Sequence, residues 1–413
     1  MKSLRPSAIA LAFLVAACSD PVGPPPRITA LPRPLTTQEQ RLIEADNRFA
    51  IKLLKQVTVG TRDTVENLFV SPLSVAMALA MTYNGAAEET EAAMRSTLEL
   101  EGMTRAEVNT AYHDLIAMLR GLDPGVRFTI ANSIWYREEY TFEQMFLDPV
   151  RTSYDARVEG LDFSAPGAAN TINDWVSRAT SGLIRDIVPN PIPDDEWMYL
   201  INAIYFKGDW TQQFDRGRTQ NLPFRLTDGT SASVPTMTHG REIRVRAYLD
   251  AAVQVLDLPY AGQAFSMTVV MPLDPAAIDE FVAGLTADAW NGWLAALDST
   301  KSHVYLPKFE LENDLSLIPT LEALGMGIAF SDFADFSRMY VPPPTLMITS
   351  VKHKTYVNVD EEGTEAAAAT AVGVGPTSLP PTIAVDRPFV FALRENLSGT
   401  ILFMGVIRHP RIE

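Results

Sequence analysis

The sequence predicts an α+β fold in a single domain. Three observations carry this. Apolar residues recur at helical spacing through the first quarter of the chain, and strand-like apolar runs or strict alternation occupy most of the remainder. Between Thr37 and Glu413 there is no second linker and no internal repeat. Of the 413 residues 47% are hydrophobic and 20% charged, which is too apolar for a disordered chain and too charged for a polytopic membrane protein.

The first seventeen residues read as a targeting segment. Lys2 and Arg5 form a basic start, and Ala8 to Ala17 are ten unbroken small or apolar residues. As a helix those ten reach about 15 Å, half of a hydrocarbon core of roughly 30 Å, so a signal peptide is expected over 1–17 rather than a membrane span. The segment ends in Val15-Ala16-Ala17-Cys18, which resembles the bacterial lipoprotein box, and Cys18 is the only cysteine. Lipidation at Cys18 is the expectation; an ordinary secretory signal with a chance cysteine is the alternative. Pro21, Pro24, Pro25, Pro26, Pro32 and Pro34 predict an extended tether over 18–36. Ser19 stands where inner-membrane retention commonly uses Asp, so an anchor at the outer membrane, periplasm or cell surface is expected.

The folded body is expected from Thr37, where Thr37-x-x-Gln40 has the pattern of a capping box. Leu42, Ala45, Phe49 and Leu53 place a helix over about 37–56. Ser71-Pro72 opens a second helix that runs through Val75, Leu79 and Tyr83 and stops at Gly85. A third spans about 104–121, with Val108, Leu115 and Leu119 on one face. Strands follow at 128–135, 199–206 and 265–271. The stretch 351–359 alternates, with Val351, His353, Thr355, Val357 and Val359 on one side. Two more strand runs, 389–393 and 400–407, close the chain.

Several function classes drop out. A formal charge of −16 with no Lys/Arg cluster argues against nucleic acid as a partner. One cysteine excludes a disulfide framework, Cys-rich zinc sites and CxxC redox chemistry. The five histidines show no metal-ligand spacing, so no metal or other cofactor is expected. There is no GxSxG elbow, P-loop or GxGxxG, and Asp194-Asp195-Glu196 among prolines reads as a solvated loop. A carboxylate pair distant in sequence leaves no local signature, so a surface lipoprotein with enzymatic function stands as the remote alternative.

The unusual segment is Glu361-Glu362-Gly363-Thr364-Glu365-Ala366-Ala367-Ala368-Ala369-Thr370, followed by the Gly- and Pro-rich residues 372–381. Composition alone fits a flexible surface loop. In extended form, however, Thr364, Ala366, Ala368 and Thr370 share one face, all small and uncharged. Such a loop can enter a sheet without steric conflict or a buried charge.

That segment resembles the hinge of the serpins, serine-protease inhibitors with a mobile reactive loop. The likeness extends over nearly the whole chain after the Pro-rich stretch. Its blocks are Asn67-Leu-Phe-Val-Ser71-Pro72-Leu-Ser74, Asn173-Asp-Trp175-Val176 with Thr180-x-Gly182-x-Ile184, and Asn202-Ala-Ile-Tyr-Phe206-Lys207-Gly208-Asp-Trp210. Leu258-Pro259-Tyr260, Leu306-Pro307-Lys308-Phe309, Asp386-Arg-Pro388-Phe389 and Phe403-Met404-Gly405 complete the set, in family order. The resemblance implies a single α+β domain over 37–413, with helices around a large mixed sheet, smaller sheets and an exposed reactive loop at about 361–385.

The activity implied is that of a suicide trap with no catalytic residue of its own. A serine protease attacks one loop bond and forms an acyl-enzyme. The cut loop then inserts into the main sheet and carries the protease across it. About fourteen inserted residues at 3.3 Å each give roughly 46 Å of strand, enough to cross a large sheet. Gly363 would supply backbone freedom and Thr364 the first buried side chain. Counting Glu361 as the seventeenth residue before the cut places the reactive bond at Thr377–Ser378, which fits an elastase-like or subtilisin-like target. Ser71, Ser74, Asn202 and His353 match the family's buried polar cluster beneath the sheet; Trp210 and the pair Lys308–Glu361 match the point where the loop first enters. The third helix carries only Arg105 and Arg120, so heparin activation is not expected. The chain is expected to act as a monomer, held to a membrane only by its lipid. A serpin that has lost inhibition and serves as a carrier is the other reading, one disfavoured by the small, uncharged face of Thr364, Ala366, Ala368 and Thr370.

Overall fold

The computed structural model describes residues 26–340, 346–364 and 382–412; the signal segment, Cys18, Glu365 to Thr370, and Thr377–Ser378 lie outside them. In chain order the elements are α1 (Thr37–Gly60), β1 (Leu68–Val70), α2 (Pro72–Tyr83), α3 (Glu88–Thr97), α4 (Arg105–Leu119), β2 (Val126–Arg137), α5 (Gln144–Ser153), β3 (Arg157–Leu161) and α6 (Ala168–Ala179). The middle holds β4 (Met198–Asp209), β5 (Gln220–Arg225), β6 (Ser231–Thr238), β7 (Ile243–Leu249), β8 (Val253–Tyr260), β9 (Phe265–Pro272), α7 (Ile278–Gly284) and α8 (Ala287–Ala296). Then come β10 (Asp298–Pro307), β11 (Phe309–Ser316), β12 (Lys352–Val359), β13 (Gly363–Thr364), β14 (Thr382–Ala384), β15 (Phe389–Glu395) and β16 (Ile401–Ile407).

The three expected helices form, and four further helices of 7 to 12 residues are interspersed between α4 and β10. In α1 the N-cap is Thr36, one residue before the expected cap. Its hydroxyl accepts from the Glu39 amide while the Glu39 carboxylate accepts from the Thr36 amide. Glutamate at the third helical position closes this box more firmly than Gln40 would, because its charge also favours the helix N-terminus. The packed body also begins before Thr37, within the stretch 18–36 expected to be a tether. The Ile28 amide donates to Gly262 O at 2.7 Å, and Ile28, Leu31 and Leu35 pack on the core. Apolar residues interleaved with the prolines overrode the proline pattern.

Two sheets organise the molecule. A six-stranded mixed sheet runs β11-β12-β13-β4-β2-β3, with β2 and β3 parallel. A ten-stranded sheet runs β1-β16-β15-β9-β8-β7-β10-β6-β5, with β14 beside β10. The inner face of the six-stranded sheet meets α2, a helix buried almost all round, as its uniformly apolar sequence requires. On the other face α6 buries Ile172 and Val176 against Trp135, Ile201 and Ala203, forming a second small core. In the ten-stranded sheet Phe69 stacks on Phe391 and Phe403. Gly405 permits this, since a Cβ there would stand 2.3 Å from the Phe391 ring and 2.7 Å from Leu68 O.

One buried group is under-compensated. Asp46 of α1 is 4% exposed and accepts from the Tyr112 hydroxyl at 2.8 Å, while its second oxygen has no partner among the described residues. Burial pushes its carboxyl up to about 7 despite the Tyr112 bond. The folded state therefore holds a proton that the unfolded chain releases near pH 4, and stability falls as pH rises from about 4 to about 7. Asp46→Asn, which keeps the acceptor and removes the charge, is expected to raise the thermal midpoint at pH 8 and change it less at pH 5. Equal shifts at both pH values would show that Asp46 is not titrating.

Candidate functional site

The site is built on two parallel strands, β4 and β12, that among the described residues are joined only through β13. The alternation in β12 is as the sequence predicts: His353, Thr355, Val357 and Val359 are buried, and Lys352 to Asn358 between them are more exposed. Below Thr364 a narrow crevice separates Ile204, Tyr205 and Phe206 from Tyr356, Val357 and Asn358. Further down it gives way to a cavity of about 430 Å³ bounded by Ser74, Leu79, Asn202, His353 and Met339.

Beneath these strands lies a chain of buried polar contacts. Ser71 caps α2, and its hydroxyl also donates to Leu402 O at 2.8 Å. The Ser71 amide donates to His353 Nε2 at 2.9 Å, which leaves the ring proton on Nδ1. Ser74 Oγ donates to Asn202 O at 3.2 Å, and Asn202 Nδ2 donates to Asn132 Oδ1 at 2.6 Å. Burial lowers the His353 imidazole to about 4, so it stays neutral and acts through hydrogen bonds. The geometry thus places Ser71, Ser74, Asn202 and His353 together. Asn132 was not singled out from the sequence. Its signal is a second asparagine inside an apolar strand run, directly opposite Asn202 in the β2–β4 register.

The upper end is a clamp on residues 360–364. Trp210 donates its backbone amide to Glu362 O at 2.7 Å and its indole N–H to Asp360 O at 2.8 Å. The Phe214 amide donates to Glu361 O at 2.8 Å. Glu361 is 3% exposed; Lys308 Nζ lies 2.8 Å from its Oε2, and the Thr219 hydroxyl donates to its Oε1. Burial alone would raise the Glu361 carboxyl, but Lys308 and Thr219 together hold it below its usual range. Thr364 pairs with Gly208 on one side and Val359 on the other, and its hydroxyl shares a hydrogen bond of 2.7 Å with the Tyr260 hydroxyl. Tyr260 in turn stacks on Trp210 with ring centroids 4.5 Å apart.

Gly363 is required here for a different reason from the one the sequence offered. Its φ is not in the left-handed region. Instead a Cβ would fall 2.1 Å from Gly208 O and 2.7 Å from Asp209 Cα. Close backbone approach, not conformational freedom, excludes a side chain.

Arg105 is paired with Glu91 and Arg120 with Asp155, so both basic residues of the α4 region are already neutralised. Among the described residues no group of three or more His, Cys, Asp or Glu side chains is arranged to hold a metal ion.

Comparison with known proteins agrees with this architecture. The family profile described as Serpin (serine protease inhibitor) matches residues 44–410. The chain is a serpin. Its relatives include the leukocyte elastase inhibitor of Bos taurus, 34% identical over 382 residues, covering 90% of this chain and 100% of the relative. Iripin-2 of Ixodes ricinus is 32% identical over 377 residues, covering 90% and 94%. Among solved structures, the native state of the thermophilic serpin tengpin superposes with a TM-score of 0.80 at 29% identity, covering 94% of this chain and 97% of that one. Human thyroxine-binding globulin in complex with its ligand gives the same TM-score at 27% identity, covering 91% and 100%. Serpins are protease inhibitors rather than enzymes; the sequence relatives include one named an elastase inhibitor, and the structural neighbours include one named for binding thyroxine. The six-stranded sheet with its β13 position is the sheet that the resemblance implied.

Proposed function

We propose that this serpin is a suicide-substrate inhibitor of serine proteases, cleaved at Thr377–Ser378 and trapping the acyl-enzyme by insertion of residues after Thr364 between β4 and β12. The observation that carries this reading is the seating of Gly363 and Thr364 as β13 between those two strands. Gly363 faces Asp209 and Thr364 faces Gly208, so paired numbers sum to 572. Continued downward, that register sets Ala366 against Phe206, Ala368 against Ile204 and Thr370 against Asn202. Small side chains meet the apolar part of β4, and the threonine arrives at the Ser74–Asn202–His353 cluster. An inserting strand whose polarity matches the slot it enters has no buried charge to desolvate. The roles of Ser71, Ser74, Asn202, His353, Trp210 and Lys308 in sheet opening belong to the same proposal.

Thr377 is small and uncharged, which favours an elastase-like or subtilisin-like target over enzymes whose S1 pocket carries Asp. Cys18 would carry the lipid that holds the inhibitor to a membrane, with residues 19–25 as the remaining tether. The carrier reading has a structural neighbour in thyroxine-binding globulin, but the alanine-rich hinge favours insertion. Mixing the protein with an elastase-type protease is expected to give a heat-stable band of higher mass on an SDS gel. The peptide released should begin at Ser378 by mass spectrometry. Cleavage without the higher band would support the carrier reading instead.

A further inference from the structure

The hinge clamp concentrates negative charge. Asp360, Glu361 and Glu362 are consecutive and buried, at 8%, 3% and 5% exposure. Asp209 of β4 adds a fourth carboxylate beside Glu362. Lys308 is engaged by Glu361. Among the described residues, the cation that reaches Glu362 is Arg216, whose Nη2 lies 2.6 Å from Glu362 Oε1. The contact is an ion pair without hydrogen-bond alignment, since Oε1 has no hydrogen-bond partner among the described residues. Arg216 is held in place by a short 3-10 turn, Arg216–Arg218. Asp215 caps that turn through the Gly217 amide and pairs with Arg218.

We propose that Arg216 is a positioning residue for loop insertion: its guanidinium latches Glu362 into the clamp and thereby fixes the upstream end from which β13 lengthens. This rests on the inhibitory reading above, and it adds a residue that the hinge sequence alone does not indicate. The physical reason is that residues 361–362 must stay put while residues beyond Thr364 are drawn into the sheet. Trp210 and Phe214 hold the two backbone carbonyls, but the Glu362 side chain would stand uncompensated among Asp209, Asp360 and Glu361 without Arg216. Burial raises the Glu362 carboxyl; Arg216 opposes the rise, and Asp360, Asp209 and Glu361 add to it. The other titratable groups nearby do not substitute: Lys308 serves Glu361, Arg218 pairs with Asp215, and burial holds His239, packed on Phe214, neutral with a pKa of about 4.

The test compares the wild-type protein with Arg216→Ala and Arg216→Lys, using amide hydrogen exchange over residues 208–216 and the stoichiometry of inhibition of an elastase-type protease. At about pH 8 the alanine variant is expected to exchange the Trp210 and Phe214 amides roughly tenfold faster and to need severalfold more inhibitor per protease. Lysine should restore both. At lower pH, once a Glu362 without its latch takes up a proton, alanine and wild type should converge. Unchanged exchange in Arg216→Ala overturns the latch, whether or not the protein inhibits. Faster exchange with unchanged stoichiometry, or a defect independent of pH, overturns its part in insertion. A wild-type protein that traps no protease overturns the inhibitory reading and the positioning role with it, while exchange still decides the ion-pair latch.

Discussion

Thr364→Arg is expected to abolish the heat-stable complex and leave cleaved inhibitor in its place. Thr364 is 3% exposed, wedged between Val359 and Gly208 with its hydroxyl on Tyr260. An arginine there carries a charge into a space with no carboxylate partner among the described residues, at a cost of several kcal/mol. Trapping is a race between insertion and hydrolysis of the acyl-enzyme. Each increment of about 1.4 kcal/mol on the insertion barrier shifts that race tenfold, so the complex should become a minor product. Cleavage at the reactive bond should persist, because the bond lies thirteen residues downstream of the substitution. Thr364→Ser, which keeps the hydroxyl, should still trap. Full complex yield from Thr364→Arg would remove Thr364 from the hinge and with it the register used for Thr370 and Asn202.

Gly363→Ala is expected to unseat β13. The added Cβ would meet backbone atoms of Gly208 and Asp209 rather than the end of a flexible side chain. Overpacking of this kind costs about 1–3 kcal/mol, more than a two-residue strand can return in pairing. The expected readout is faster amide exchange over 208–214, a lower complex yield and a lowered thermal midpoint, since Trp210, Tyr260 and Val359 beside β13 belong to the main core. Gly60→Ala provides the contrast, since nothing lies within 4 Å of a Cβ there. Wild-type exchange in Gly363→Ala would mean that β4 yields at Gly208, and the close-approach account would fail.

The fold was largely readable before the structure. Helical periods at Leu42 to Leu53, the Ser71-Pro72 start and the strict alternation of 351–359 each describe an element that buries one face, and such elements leave a local pattern. Elements whose burial is shared or partial were less readable. The helix α6 buries only a narrow stripe on the outer face of β2 and β4, and α5 carries Pro149 inside it. The start of the body was misplaced because Pro26 to Pro34 look like a spacer, yet Ile28, Leu31 and Leu35 between them find the core.

The site divides in the same way. Residues in contiguous blocks, such as Gly363-Thr364 and Leu306-Pro307-Lys308, were visible because their types are unusual where they stand. Asn132, Thr219 and Arg216 were not, since each acts on a partner 70 to 146 residues away, and sequence carries no record of which strands adjoin.

By itself the sequence determined the α+β class, the main helices and strands, and a loop face of small, uncharged residues at Thr364, Ala366, Ala368 and Thr370. Those are properties of local period and side-chain size, which the chain carries without reference to its fold. Only the tertiary structure decided that Gly363 is needed for closeness to Gly208 rather than for freedom, that the β13 register sets Thr364 against Gly208, and that four carboxylates at the hinge are balanced by Lys308 and Arg216. Each of these depends on which strand lies beside which, and at what offset. That is settled by long-range packing, which no local pattern encodes.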